Sequence, residues 1–252
     1  MNKSTLSLNA KKIIFTVLFS VVSFVSFAQL HMSANIQTNH LWRGGEVADG
    51  IVVTYDLDYV PFGENFSVGF WGGTNVLGAY KEFNFVAKYN KGGFSAALAD
   101  TYNFSDYATY NNDKFFDYKS STTGRFLDAK LAYRFGEKFP LRIGWSTIVF
   151  GRDRNADNTK NKFSTYCSLE YPVYNKEMWR VDTKVGGAFA LNNSKGEKAN
   201  FYGEKADLVN VSLIVTRNID IKGYRVPVSA TAMFNPDSNK AYFQLAVQLF
   251  SF

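Results

Sequence analysis

Twelve segments of about 10 to 14 residues, each alternating apolar and polar side chains, run along residues 32–252, and the connections between them alternate between short and long. A period of two sets one face of each segment against an apolar medium and the other against polar surroundings, which is the habit of a strand and not of a helix. The segments are 32–43, 50–60, 65–76, 82–90, 94–103, 126–135, 141–150, 163–171, 179–191, 208–217, 224–234 and 241–252. The clearest, 50–60, sets Ile51, Val53, Tyr55, Leu57 and Tyr59 opposite Thr54, Asp56 and Asp58. The least regular, 94–103, puts Asp100 on the face of Phe94 and Leu98 and calls for a bulge there. Connections 61–64, 91–93, 136–140, 172–178 and 218–223 are short, whereas 105–125, 151–162 and 192–207 are long and polar. A sandwich of two sheets has no reason to keep that parity. An up-and-down barrel with both termini at its tight-turn end does. The expected fold is therefore all-β, a transmembrane antiparallel up-and-down β-barrel of about 12 strands, each long enough to cross hydrocarbon at a tilt.

The last strand, 241–252, places Phe243, Leu245, Val247 and Leu249 on one face, but Phe250 and Phe252 fall on the other. The strand must therefore turn at its end or carry a bulge. A chain that stops on Phe after such a strand resembles the closing strand of bacterial outer-membrane barrels, which implies the barrel-assembly machinery as a partner at Phe252. The opposite end agrees. Lys3, Lys11 and Lys12 precede an apolar run over 13–28 that closes on Ser26-Phe27-Ala28, the layout of a secretory signal peptide and too short for a spanning helix. The expected division is a signal peptide at 1–28 and an outer-membrane barrel at 29–252, in the outer membrane of a Gram-negative bacterium. Losing three lysines and no acid takes the formal charge from +6 to +3. With no basic block left, nucleic acid is not an expected partner. The single cysteine, Cys167, excludes an intrachain disulfide and is expected to face lipid.

Residues 33–76 carry a resemblance. The run Ser33-Ala34-Asn35-Ile36-Gln37-Thr38-Asn39-His40-Leu41-Trp42-Arg43-Gly44-Gly45, an alternating strand with two acids, and then Gly69-Phe70-Trp71-Gly72-Gly73-Thr74-Asn75-Val76 is similar to the opening of the TorF family of porin-type barrels. That family begins with a strand ending in aromatic-x-Arg-Gly, then a strand, then Gly-x-Trp-small-Ser-Asn. Here Thr74 stands for the Ser, an extra Gly is present, and His40-Leu41 replaces an aromatic pair. The resemblance implies an outer-membrane channel and assigns no substrate or catalytic residue.

Chemistry-bearing motifs are few. His31-Met32-Ser33 has the spacing that would put a base and a nucleophile on one strand face, as in outer-membrane phospholipases, but without their Tyr, Thr and Gly context. His40 has no specified acid and is expected at the membrane interface beside Trp42. Two His and one Cys make no recognisable zinc site, and the 152–158 loop mixes oxygen donors with two arginines and reads as a solvated loop more than a calcium site. No catalytic residue, cofactor or metal is assigned.

The polar faces say more. Arg43, Asp56, Asp58, Lys88, Asp128, Lys130, Arg134, Arg142, Glu170, Arg180, Asp182, Lys184 and Arg225 all fall on them and are the expected pore-lining set. Their slight cationic excess favours anions at a constriction. The opposing expectation is that these charges pair across a narrow lumen and close it. Gly69, Gly72, Gly73, Gly144, Gly186 and Gly187 would either leave room for solute or mark curvature and bulges. Tyr59, Phe62, Phe66, Tyr89, Phe94, Phe135, Phe139, Tyr171, Tyr174 and Trp179 gather near the short turns as an interface girdle, and the aromatics of 105–125 are expected to pack into the barrel mouth, the alternative being a sugar- or partner-binding surface. The functional expectation is a channel in the outer-membrane bilayer for passive diffusion of small polar solutes, with modest anion preference and no enzymatic activity. A closed structural or surface-binding barrel working through its loops is the alternative, and an outer-membrane hydrolase the minor one.

Overall fold

The computed structural model describes residues 29–108 and 113–252; the expected signal peptide at 1–28 lies outside the described residues, as does Tyr110. Fourteen strands follow one another: β1 Leu30–Gln37, β2 His40–Trp42, β3 Gly45–Ala48, β4 Val52–Phe62, β5 Phe66–Asn75, β6 Lys81–Lys91, β7 Phe94–Asn103, β8 Phe126–Arg134, β9 Arg142–Gly151, β10 Ser164–Lys176, β11 Trp179–Ala190, β12 Asp207–Ile221, β13 Tyr224–Asn235 and β14 Lys240–Ser251. Twelve close into an antiparallel barrel in which each strand pairs with its chain neighbours and β1 pairs with both β4 and β14. Closure leaves no unpaired edge. β2 and β3 form a separate hairpin. No helix among the described residues is long and apolar enough to cross a membrane.

The wall has an apolar outside. Tyr55, Phe70, Phe85, Leu98, Leu131, Trp145, Leu169, Val185, Leu213, Phe234 and Leu245, one from each of eleven strands, are exposed there. Each alternates along its strand with a neighbour turned to the interior, such as Asp56, Asn84, Thr101, Lys130, Ser168 or Ser212. Around the short-turn end, Phe62, Phe66, Tyr89, Phe94, Phe135, Phe139, Tyr174 and Trp179 form the expected aromatic girdle, all exposed. Of the turn or bulge expected near the terminus, the strand makes a bulge: Ala34 pairs with Phe250 and Asn35 with Gln248, which leaves Leu249 as the extra residue. Phe250 is thereby turned to the face of Ala34, and Phe252 exchanges two backbone hydrogen bonds with Met32 and stacks on Phe250. Cys167 sits on the outer face, in register with the exposed Trp145.

Four expectations need correction. The first strand does not run to Arg43: wall pairing stops after Gln37, where the Thr38 amide donates to the Leu245 carbonyl and the Thr38 hydroxyl accepts from the Leu245 amide. Residues 40–48 then fold inward as the β2–β3 hairpin. Secondly, β10 and β12 continue through segments read as turns. Pro172 is accommodated because Val173 bulges out between Pro172 and Tyr174, so the missing donor does not end the strand. Thirdly, the 104–125 connection is not packed into the mouth as expected: among its described residues Tyr107 donates to the Val47 carbonyl of the inward hairpin at 3.3 Å, but the Phe115 end lies on the outside of the wall. Phe115 packs against Phe83, Phe85 and Tyr102 on the outer wall, and the Arg125 guanidinium, 1 % exposed, lies over Phe115 and Tyr102 and is ion-paired with Asp100 at 2.9 Å. Fourthly, the bulge expected in strand 94–103 is absent, since β7 keeps continuous register with β6 and β8; Asp100 breaks the alternation because Arg125 and the Tyr118 hydroxyl, at 2.6 Å, meet it on the outside.

Candidate functional site

The interior is organised by the hairpin tip. Trp42 pairs with Gly45 across a two-residue turn in which Arg43 and Gly44 both have positive φ, 46° and 94°. That is the primed turn that a tight hairpin demands, and glycine meets its second position without strain. A Cβ on Gly44 would fall on the carbonyl oxygen of Val209. Val209 reaches the tip because β12 bulges there, opposite Gly186 and Gly187. The Asn235 amide donates to the Gly44 carbonyl at 2.9 Å from β13. The tip therefore packs against β12 and β13, three and two strands from β1 around the barrel, and any side chain in place of Gly44 would displace it.

Arg43 is the latch. Its guanidinium makes two hydrogen bonds to the Asp128 carboxylate, at 2.7 and 3.2 Å, and a third to the Tyr202 hydroxyl at 2.6 Å. Its carbon lies 4.7 Å from the Trp42 ring centroid, with Tyr166 and Tyr202 a little farther. Side chains of Arg43 and Asp128 are 8 % and 1 % exposed, so the pair is desolvated and only its two-pronged geometry makes the burial tolerable. Tyr202 comes from the 191–206 connection, which folds inward and brings Phe201 against Trp42 and Phe126. Burial pushes the Tyr202 phenol above its ordinary range and keeps it neutral. His40 is not at the interface as expected. It stacks inside on Trp71 and Tyr80, bonds Gln37 at 2.9 Å, and burial lowers its imidazole to about 4.

Two cavities flank this waist. One of about 480 Å³ opens toward the long loops, among His40, Glu46, Trp71, Glu82, Asn103, Phe126, Arg152 and Tyr202. The other, about 420 Å³, lies toward the short turns, among Asn90, Ser95, Arg142, Gly144, Ser146, Tyr166, Ser168 and Lys184. Trp42, Arg43, Lys88 and Lys130 border both. They form the common border of the two chambers.

Of the residues assigned from sequence to the lumen, Arg43, Asp56, Lys88, Asp128, Lys130, Arg142 and Lys184 line one or both cavities. Lys88 holds Asp56 at 3.0 Å and Asp58 at 2.7 Å, and Lys130 reaches Asp128 at 3.5 Å. Arg134 meets Glu170 at 3.5 Å, and Arg180 meets Asp182 at 2.7 Å. Arg225, 65 % exposed beside Asp220, sits at the rim near the 222–223 turn and lines neither cavity. Sequence reasoning did not assign Tyr202, Phe201, Glu82, Arg152 or Asn235. The one signal available for the first two was an adjacent aromatic pair in an otherwise polar connection. In the 152–158 loop the polar groups brace the loop and its neighbours: Asn155 accepts from the Thr159 and Lys160 amides, Arg154 bonds Asn158 and Asn161, and Asp153 accepts from the Ser164 amide and hydroxyl. His31 and Ser33 lie on β1 near the termini, in register with Asp58 and Asp56.

No protein-family model matches the chain, and no curated protein sequence does. Among solved structures, an outer membrane channel from Pseudomonas putida F1 superposes with a TM-score of 0.46 at 12 % identity, over 87 % of this chain and 93 % of that one. A bacterial polysaccharide outer membrane secretin gives 0.40 at 10 % identity, over 87 % and 95 %.

Proposed function

We infer that the protein is an outer-membrane channel for passive diffusion of small polar solutes, narrowed at Arg43 by its own inward hairpin and modestly selective for anions. One observation carries this reading: a closed twelve-stranded barrel, apolar outside, encloses two polar chambers that share Trp42, Arg43, Lys88 and Lys130 as their common border. A wall of this kind is stable only in hydrocarbon, and a structural barrel has no need of chambers along its axis. The N-terminal signal layout and the terminal Phe252 support export and handling by the assembly machinery. The similarity of residues 33–76 to TorF-family barrels points the same way. Arg142 and Lys184, facing the chamber nearer the short turns, carry the anion preference.

The closed-barrel alternative draws on the latch, because Arg43 and Asp128 neutralise each other at the hairpin tip inside the barrel. The two readings separate in a planar bilayer. With a KCl gradient across the membrane, the channel reading expects open steps with a reversal potential displaced toward chloride. A potassium-directed displacement removes the anion preference. Silence from barrels shown to be folded removes the channel and leaves the closed barrel.

A further inference from the structure

The chamber nearer the short turns differs from the other in its charge. Strand register sets Arg134 of β8, Arg142 of β9, Glu170 of β10 and Lys184 of β11 side by side on the interior face, three cations to one carboxylate. Glu170 makes its ion pair with Arg134. Asp128 is taken by Arg43 and Lys130, and Asp56 and Asp58 by Lys88. Arg142 and Lys184 therefore line the cavity without an ion pair to any described residue. Their strands are two apart, so their backbones stand about 10 Å from each other, a span that two long cationic side chains close around one small anion.

The next interior rows supply uncharged donors. Ser168 pairs with Gly144 on one side and Gly186 on the other, and Ser146 stands opposite Lys130 and Tyr166. Gly144 keeps the space above Arg142 open, since a Cβ there would lie 2.7 Å from the Ser168 hydroxyl. A fork of guanidinium donors, an ammonium and two hydroxyls around a cavity of about 420 Å³ matches an oxyanion, whose several acceptors need donors from more than one side.

We propose that Arg142 and Lys184, with the Ser146 and Ser168 hydroxyls, form a discrete binding site for a small oxyanion of the phosphate or carboxylate class. The site rests on the channel reading for its place on a solute route, while binding itself requires no conduction.

Inorganic phosphate is the probe, titrated calorimetrically into the folded protein in detergent, alongside phosphate block of chloride current in bilayers. Saturable one-site binding is expected. Arg142→Gln and Lys184→Gln each weaken it roughly tenfold or more, whereas Lys205→Gln at the opposite end leaves it unchanged. The two single variants, both checked for the heat-modifiable migration of a folded barrel, guard against one failing to fold. Absent or non-saturable phosphate binding overturns the site even if chloride current flows. Equal weakening by Lys205→Gln also overturns it, by reducing the effect to overall charge. Saturable binding in barrels that never conduct keeps the site and removes the channel.

Discussion

Arg43 is held by interactions that become liabilities when one partner is removed. Asp128→Asn leaves a buried guanidinium without its counter-charge, a change that typically costs about 3–5 kcal/mol. The wall of the barrel does not depend on that pair, so the cost falls on hairpin docking. The expected outcome is a larger single-channel conductance, with unchanged heat-modifiable migration on a gel. His40 adds a dependence on pH. Its imidazole titrates near 4 when docked and near its ordinary 6.5 when released, so the released form gains a proton over that interval that the docked form refuses. Docking is at full strength above about 6.5 and weakens as pH falls toward 4. Proteolytic cleavage of the hairpin should rise across that window and stay flat in His40→Gln. The latch was only half legible in the sequence. Arg43 stood out as a charge beside two glycines, but alternation placed it on a wall strand, because nothing local announces that pairing stops at Gln37. That stop is made by Leu245, more than two hundred residues away.

At the scale of the strand, legibility was high where one physical rule acted alone. A residue facing lipid must be apolar and its neighbour need not be, so the period of two located all twelve wall strands, and the mismatch at Phe250 called for a turn or bulge that the structure makes as a bulge at Leu249. The rule failed where a second partner intervened. Asp100 is outward and charged because the 104–125 connection covers it with Arg125 and Tyr118, and that docking is invisible in strand 94–103 itself. Boundaries also slipped where Pro172 suggested a turn and a bulge absorbed it. The lipid-facing assignment is testable on an uncovered strand. Leu213, 45 % exposed on β12, should tolerate Ile or Val, whereas Leu213→Arg should destabilise the barrel by about 2–4 kcal/mol in denaturant unfolding from lipid vesicles. A loss of well under 1 kcal/mol would mean that this face does not lie in hydrocarbon.

Across the whole molecule, the barrel and its contents do different work. Twelve strands give a wall too wide to be filled by wall side chains alone, and the chain fills the difference with the β2–β3 hairpin between β1 and β4 and with Phe201 and Tyr202 from a later connection. The candidate site was legible as a set of lumen charges and illegible as a constriction, since all of those charges but Arg43 come from wall strands, whereas the constriction comes from connections. Solute passage then depends on whether the tip at Trp42-Arg43-Gly44 narrows a continuous path. Single-channel conductance of the refolded protein, compared with a variant in which residues 40–48 are replaced by a short Gly-Ser linker, tests this directly. Small stable steps for the parent and several-fold larger steps for the linker variant are predicted. Silence from both, with each shown to be a folded barrel in the same bilayers, would contradict a hairpin-narrowed channel.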